Sequence, residues 1–426
     1  MNGMVPPTRP RFSAAALLTM FLALLGPLVY AAPLGSVPGM LALCGAAAFV
    51  AWRARGVAWR AILGDFAVFV PLLGWMALSS LWSLNAHAAL SLGLRLTLVF
   101  AAGIALVHWV RILPLERLGP CLAATAVGFT AASAVMLVDL RLFQGSIARH
   151  FHAPHGEKYD VALFYGRGAT IQAILLVPLL LGLWRGGSRW LAILQAALGV
   201  LAILATSSLS AKVALAAAAL AGAAVLLAPR LRFAVLALFA CGVIALPFVL
   251  PFRPDPLTVC WLSNHKASAL HRLYIWNFAA ERIADHPIAG WGLDAARRIP
   301  GGDFPVVIRG CDSEQRPTRQ LWVESTLMPL HPHNAILQVW LELGGIGAIL
   351  GLGAVLVVLA RAFHAQPWRR RGAQAGFSGV CCGGLAVALV SFGIWQEWFL
   401  AALFIAAAIS VLAARQDETP PDQPRR

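Results

Sequence analysis

The segment LMPLHPHNAILQVWLELGGIG sets His331, His333 and Asn334 where a long polar stretch enters an apolar run. Two histidines one residue apart at such a junction suit proton transfer, because an imidazole with a pKa near 6.5 is largely a base at neutral pH. The same spacing also serves metal ligation or the simple ending of a span. No third and fourth ligand cluster stands out, although Glu324 or Asp312 could fold back toward the pair. His333 is the candidate base, with His331 and Asn334 positioning it.

A second set of residues is cationic. Arg95 lies several residues inside an apolar run, Arg167 opens another in FYGRGATIQA, Lys212 opens a third in TSSLSAKVAL, and Arg272 sits in the polar stretch. Arg141, Arg149, Lys158 and Lys266 are further candidates. Ionisable side chains in apolar runs are costly and usually functional. The planar guanidinium fork matches phosphate oxygens two at a time, so the set points to a phosphate-bearing ligand. The plainer alternative is snorkelling to lipid head groups, with most force at Lys212. P-loop, dinucleotide-fingerprint, zincin and Asp-x-Asp motifs are all missing, which weighs against a nucleotide-sugar donor held through a divalent cation.

These residues need a scaffold, and composition names it. The 426-residue chain is 60% hydrophobic and only 12% charged, with a mean hydropathy of +0.76. Its apolar runs are long enough to cross a hydrocarbon core of about 30 Å and lack the alternation of a barrel. The expected fold is an all-α polytopic membrane protein with about twelve transmembrane helices. Nine fall within residues 1–252, a large loop occupies 253–334, three more helices lie in 335–413, and a polar, Pro-rich tail covers 414–426. The first run, Ser13–Ala32, is longer than the apolar core of a cleaved signal peptide and reads as a span.

The net charge of +15 suggests nucleic acid in a soluble protein; here arginines at alternate span ends absorb most of it. Arg53/Arg55/Arg60, Arg111/Arg117, Arg185/Arg189, Arg230/Arg232 and Arg361 with Arg369–Arg371 mark the cytoplasmic side, as do Arg9, Arg11 and the C-terminal arginines. Both termini are then cytoplasmic, the long loop is periplasmic, and no nucleic acid partner is expected. Five of the seven cysteines fall in apolar runs; Cys260 and Cys311 share the loop, so a disulfide between them is expected in an oxidising compartment. Within the loop, Ser268 is a plausible N-cap for an amphipathic helix whose Tyr274 and Trp276 would lie in the membrane interface. Gly344, Gly345 and Gly347 read as helix-packing positions, Trp82 as an interfacial anchor. Glu397 could orient a histidine, neutralise an arginine or be an ordinary interfacial glutamate.

The pattern R…W…A…I.DHPIAGWG followed by HPHNAILQVWLELGGIG, carried by Arg272, Trp276, Asp285–Gly292 and His331–Gly347, resembles the O-antigen ligase family within the O-antigen ligase and polymerase superfamily. YGRGA around Arg167, the stretch around Lys212 and WSLNAHAAL are weaker points of likeness. The resemblance implies a GT-C-like membrane fold in the inner membrane of a Gram-negative bacterium, an undecaprenyl-diphosphate-linked O-antigen donor and a lipid A–core acceptor. It also implies inverting transfer without metal or other cofactor, a histidine base, and arginines on the diphosphate. The family often has Ser-Arg where this chain has Ala211-Lys212, and lysine lacks the bidentate fork. An O-antigen polymerase or a protein O-oligosaccharyltransferase would share this layout. A secondary transporter is the alternative of another class, but its substrate site would lie near the midplane, whereas the unusual charges here gather at one face.

Overall fold

The computed structural model describes residues 14–53, 59–152, 164–249, 254–364, 370–416 and 418. Arg9, Arg11, Arg55, Lys158, Arg369, the expected boundary at 252–253 and most of the polar tail lie outside the described residues. The described part of each expected apolar run falls on a helix or a helix pair. In chain order these are α1 (Ala14–Ala31), α2 (Ser36–Arg53), α3 (Trp59–Phe66), α4 (Val70–Ser79), α5 (Ala86–Ile112) and α6 (Leu115–Arg141). After the short α7 (Ser146–His152) come α8 (Gly166–Arg185), α9 (Arg189–Ala205), α10 (Leu209–Leu227) and α11 (Leu231–Val249). The long loop contributes α12 (Pro256–Asp285), β1 (Pro305–Cys311) and β2 (Pro317–Thr326); α13 (Ala335–His364), α14 (Arg371–Val390) and α15 (Glu397–Arg415) close the chain.

Among the described residues nine helices are long and apolar enough to cross a membrane, and the pair α3–α4, bent by 56°, makes a tenth. The remaining apolar helices, α1 and α9, are shorter. The protein is a polytopic, predominantly helical membrane protein. Small residues let its helices approach closely: a Cβ on Gly26 of α1 would come within 2.3 Å of the Gly128 backbone of α6.

The basic span ends gather at one end of the bundle. Asp65 receives Arg111 at 2.8 Å and Arg361 at 3.4 Å, and Arg415 donates to the carbonyls of Val110 and Leu113 at 2.9 and 2.8 Å. The long loop and the histidine turn lie at the opposite end.

The loop differs from expectation in three ways. First, α12 starts at Pro256, capped by Asp255 accepting from Thr258 N at 3.0 Å, rather than at Ser268; it is kinked at Lys266. Second, Tyr274 and Trp276 pack against protein. Trp276 packs with Ile275, Phe278 and Ile283 against Ile299, Met328, Leu337 and Leu341, and Tyr274 packs under the strands with Leu270, Val306 and Ile308. The apolar stripe that carries Tyr274 and Trp276 thus has protein surface to cover, with both side chains left partly exposed. Third, β1 and β2 form an antiparallel hairpin that the sequence did not suggest.

The hairpin is tied to α12 by the Cys260–Cys311 disulfide, with Cα atoms 5.4 Å apart. Asn264 reinforces it, its amide donating to Cys311 O and accepting from Cys311 N, each at 3.0 Å. The bond spans a sequence separation of 51, for which loop-closure entropy gives a stabilisation of about 4 kcal/mol. Cys260→Ser should therefore lose the non-reducing gel-mobility shift and make the hairpin markedly more sensitive to trypsin. Unchanged proteolysis would show that the hairpin holds without its tether.

Candidate active site

The histidine turn is built by local bonds. Asn334 caps α13, its side-chain oxygen accepting from the backbone N–H groups of Ile336 and Leu337, both at 3.1 Å. That commitment leaves the Asn334 side-chain oxygen occupied by the start of the helix. One residue earlier, His333 has a φ of +53°, in the left-handed region. Its N–H donates to His331 Nδ1 at 3.1 Å, and the two rings lie edge to face with centroids 4.4 Å apart. From α12, Trp276 donates to Pro332 O at 2.9 Å and pins the turn from outside.

The tautomer of His333 follows from its partner. Its Nδ1 lies 2.6 Å from Ser391 O in the turn between α14 and α15. A carbonyl can only accept, so Nδ1 carries the proton and Nε2 is left with an open lone pair. Burial pushes the His333 pKa below its ordinary value; the Ser391 contact opposes this, and nearby Arg272 and His271 add to it. His331 is pushed down to about 3 by burial, by His333 and by Arg297. Both imidazoles are thus neutral at pH 7, and His333 is in the state a general base requires.

Arg272, Arg167, Lys212 and Arg95 lie at this end of the bundle but in unequal settings. Arg272, half-buried on α12, is the one with direct electrostatic reach to His333; burial alone lowers its pKa, and no carboxylate among the described residues pairs with it. Arg167 lies over the Trp398 ring at 5.9 Å; Trp398 donates to Gln396 at 3.0 Å, and Gln396 approaches His331 Nε2 at 3.4 Å. Lys212 stands one turn into α10, whose capping Ser208 packs on Gly166, so Lys212 and Arg167 rise from neighbouring helix starts. Arg95 is paired with Glu397 at 2.6 Å and also donates to Ser91 at 2.9 Å. Glu397 thereby neutralises an arginine and does not orient a histidine. Among the described residues no group of three His, Cys, Asp or Glu side chains is arranged to hold a metal ion.

What lies behind the histidine turn was not anticipated. Read as one span, α13 is broken at Gly344, with φ +65° and ψ −168°, a conformation essentially restricted to glycine. The segment Pro287–Gly292 fills the break. Trp291 N and Gly292 N donate to Leu341 O and Glu342 O at 2.9 and 2.8 Å, while Gly345 N and Ile346 N donate to Pro287 O and Ile288 O at 2.8 and 3.2 Å. The freed helix bonds are thereby remade by loop backbone. Gly344 is a backbone-to-backbone contact, since a Cβ there would come within 2.2 Å of Ile288 O. The turn after α4 closes the far side. Trp82 donates to Gly290 O at 3.3 Å and Ser83 to Leu293 O at 2.7 Å, so Trp82 does more than anchor at an interface. Trp75, from α4 itself, donates to Leu343 O at 2.9 Å.

Residues 194–352, which include Lys212, Arg272 and the whole histidine turn, match the family described as O-antigen ligase. Curated relatives bearing the name "Putative polysaccharide ligase" are similar over a stretch of comparable length. The protein of Rickettsia conorii is 32% identical over 148 residues, 35% of this chain and 32% of its own. That of Rickettsia prowazekii is 32% identical over 148 residues, 34% of this chain and 33% of its own. That of Rickettsia bellii is 30% identical over 166 residues, 39% of this chain and 37% of its own. The matched part spans about a third of the length of these relatives.

Proposed function

We propose, from the match of residues 194–352 to the family described as O-antigen ligase, that the protein transfers a glycan from undecaprenyl diphosphate to a sugar hydroxyl of lipid A–core at the periplasmic face of a bacterial inner membrane. The acceptor oxygen attacks the anomeric carbon of the donor with inversion. The bond from that carbon to the diphosphate oxygen breaks, the acceptor proton passes to His333 Nε2, and lipid diphosphate leaves. Arg272 takes the charge developing on the leaving oxygen; Arg167 and Lys212 extend the cationic surface, and Arg95, already paired, contributes least. Fixed cations in a water-poor site are usually the largest catalytic term. The transfer needs no metal in this scheme.

One observation carries the proposal: His333 has its Nδ1 committed to Ser391 O, leaving Nε2 open, within electrostatic reach of an arginine that no described carboxylate neutralises.

The test is reconstitution of purified protein with a lipid-linked O-antigen donor, offering lipid A–core or a second lipid-linked glycan as acceptor. Transfer to lipid A–core supports a ligase; elongation on the second lipid would make the protein a polymerase. The pH profile checks the base. Because the folded pKa of His333 lies below its ordinary value, the neutral form persists under mild acid. The rate should stay flat from about pH 8 down to about 6.5 and fall only below that. An acid limb centred above about pH 6.5 would rule out His333 as the base.

A further inference from the structure

Just before its break, α13 holds a carboxylate that touches no substrate surface. Glu342 is 1% exposed. Its Oε2 accepts from Asp294 N at 2.7 Å and Trp395 Nε1 at 2.8 Å, and its Oε1 from Gln338 Nε2 at 3.1 Å. Gln338, also buried, accepts from Ile394 N at 3.0 Å through its own oxygen. A buried carboxylate is costly unless its donors are supplied, and here they come from specific places. Ile394 and Trp395 belong to the turn whose Ser391 carbonyl fixes His333 Nδ1 and whose Gly393 packs on the His331 ring. Asp294 lies two residues after the segment that fills the helix break and pairs with Arg297, at 3.5 Å, beside His331.

We propose that Glu342 is a positioning residue for His333, clamping the 391–396 turn and the 287–294 segment to the broken helix so that Nε2 stays open toward the acceptor. The inference rests on His333 being the base. The donors have a fixed sense: Trp395 Nε1 and Asp294 N can only donate to position 342, and Ile394 N can only donate to position 338. In Glu342→Gln, an oxygen facing Trp395 and Asp294 leaves an amide group facing the amide of Gln338, donor against donor. Adding Gln338→Glu reverses one bond and satisfies every group again. The carboxylate introduced at position 338 would accept from Ile394 N and from the amide introduced at position 342. The oxygen of that amide would accept from Trp395 and Asp294.

The experiment measures transfer kinetics and, independently, carbethoxylation of His333 by diethyl pyrocarbonate, read by mass spectrometry. Full-length wild type, Glu342→Gln, the Glu342→Gln/Gln338→Glu exchange and His333→Ala are compared in liposomes with the donor and acceptor named above. The expected result is a kcat at least 30-fold lower in Glu342→Gln with both KM values within twofold, His333 at least threefold more reactive, and both effects largely reversed in the exchange. A single variant within threefold of wild type, a loss confined to KM, or an exchange as impaired as the single variant overturns the inference. If Glu342→Gln does not fold, Trp395→Phe removes one donor alone; a kcat about fivefold lower supports the inference and an unchanged kcat overturns it. Should wild type transfer nothing, the proposed function fails, and the carbethoxylation pattern still decides the positioning.

Discussion

Replacing His333 with alanine is expected to lower glycan transfer by roughly two to four orders of magnitude, the usual worth of a positioned general base. The protein should still reach the membrane in normal amounts, because the imidazole contributes one bond to Ser391 O while Asn334 and Trp276 hold the turn. His333→Asn is the sharper variant, since asparagine tolerates the +53° φ and removes the base without straining the backbone. Both variants should lose kcat with little change in KM. Transfer within tenfold of wild type at equal expression would mean that another group takes the proton. His331→Ala should behave differently: Nδ1 of His331 receives the His333 N–H, so its loss loosens the turn and should give a smaller, partial defect.

The second large effect concerns folding. Gly344→Ala places a methyl group within 2.2 Å of Ile288 O at a φ of +65°. Forcing an L-residue into that backbone conformation costs about 1–3 kcal/mol, and the overlap adds about 1–3 kcal/mol. The 287–292 segment cannot then stay in the helix break. Gly344→Ala should give little monodisperse protein in detergent and no transfer. Gly351→Ala and Gly353→Ala on the same helix meet nothing within 4 Å and should fold as well as wild type or slightly better, alanine being the better helix former by about 1 kcal/mol. Normal folding of Gly344→Ala would mean that the break is not required.

How much of this was legible in the sequence depended on the kind of signal. The spans were, because a run of about 20 apolar residues has few other uses. The histidine turn was, because His331, His333 and Asn334 are close enough in the chain to meet whatever the fold does. The Cys260 and Cys311 pairing was a compositional inference from two thiols in one polar segment. Contacts between distant segments were hidden. Nothing local says that Ser391 holds His333, that Glu397 neutralises Arg95, or that Pro287–Gly292 lies in a break of α13. Two clues were available: Glu342 is a lone acid in an apolar run, and DHPIAGWG carries two glycines with positive φ, Gly290 and Gly292, in a segment rigid enough to fill a gap. The protein partners of Trp276 were hidden because the amphipathic stripe of α12 is the same whether it covers lipid or protein.

The measurement closest to the central claim is an experimental structure of the protein with a polyprenyl-diphosphate-linked glycan bound. The diphosphate is predicted to contact the Arg272 guanidinium, with the anomeric carbon facing an acceptor oxygen about 3 Å from His333 Nε2. A diphosphate bound away from Arg272, or a His333 ring turned so that Nε2 meets protein instead of substrate, would contradict it.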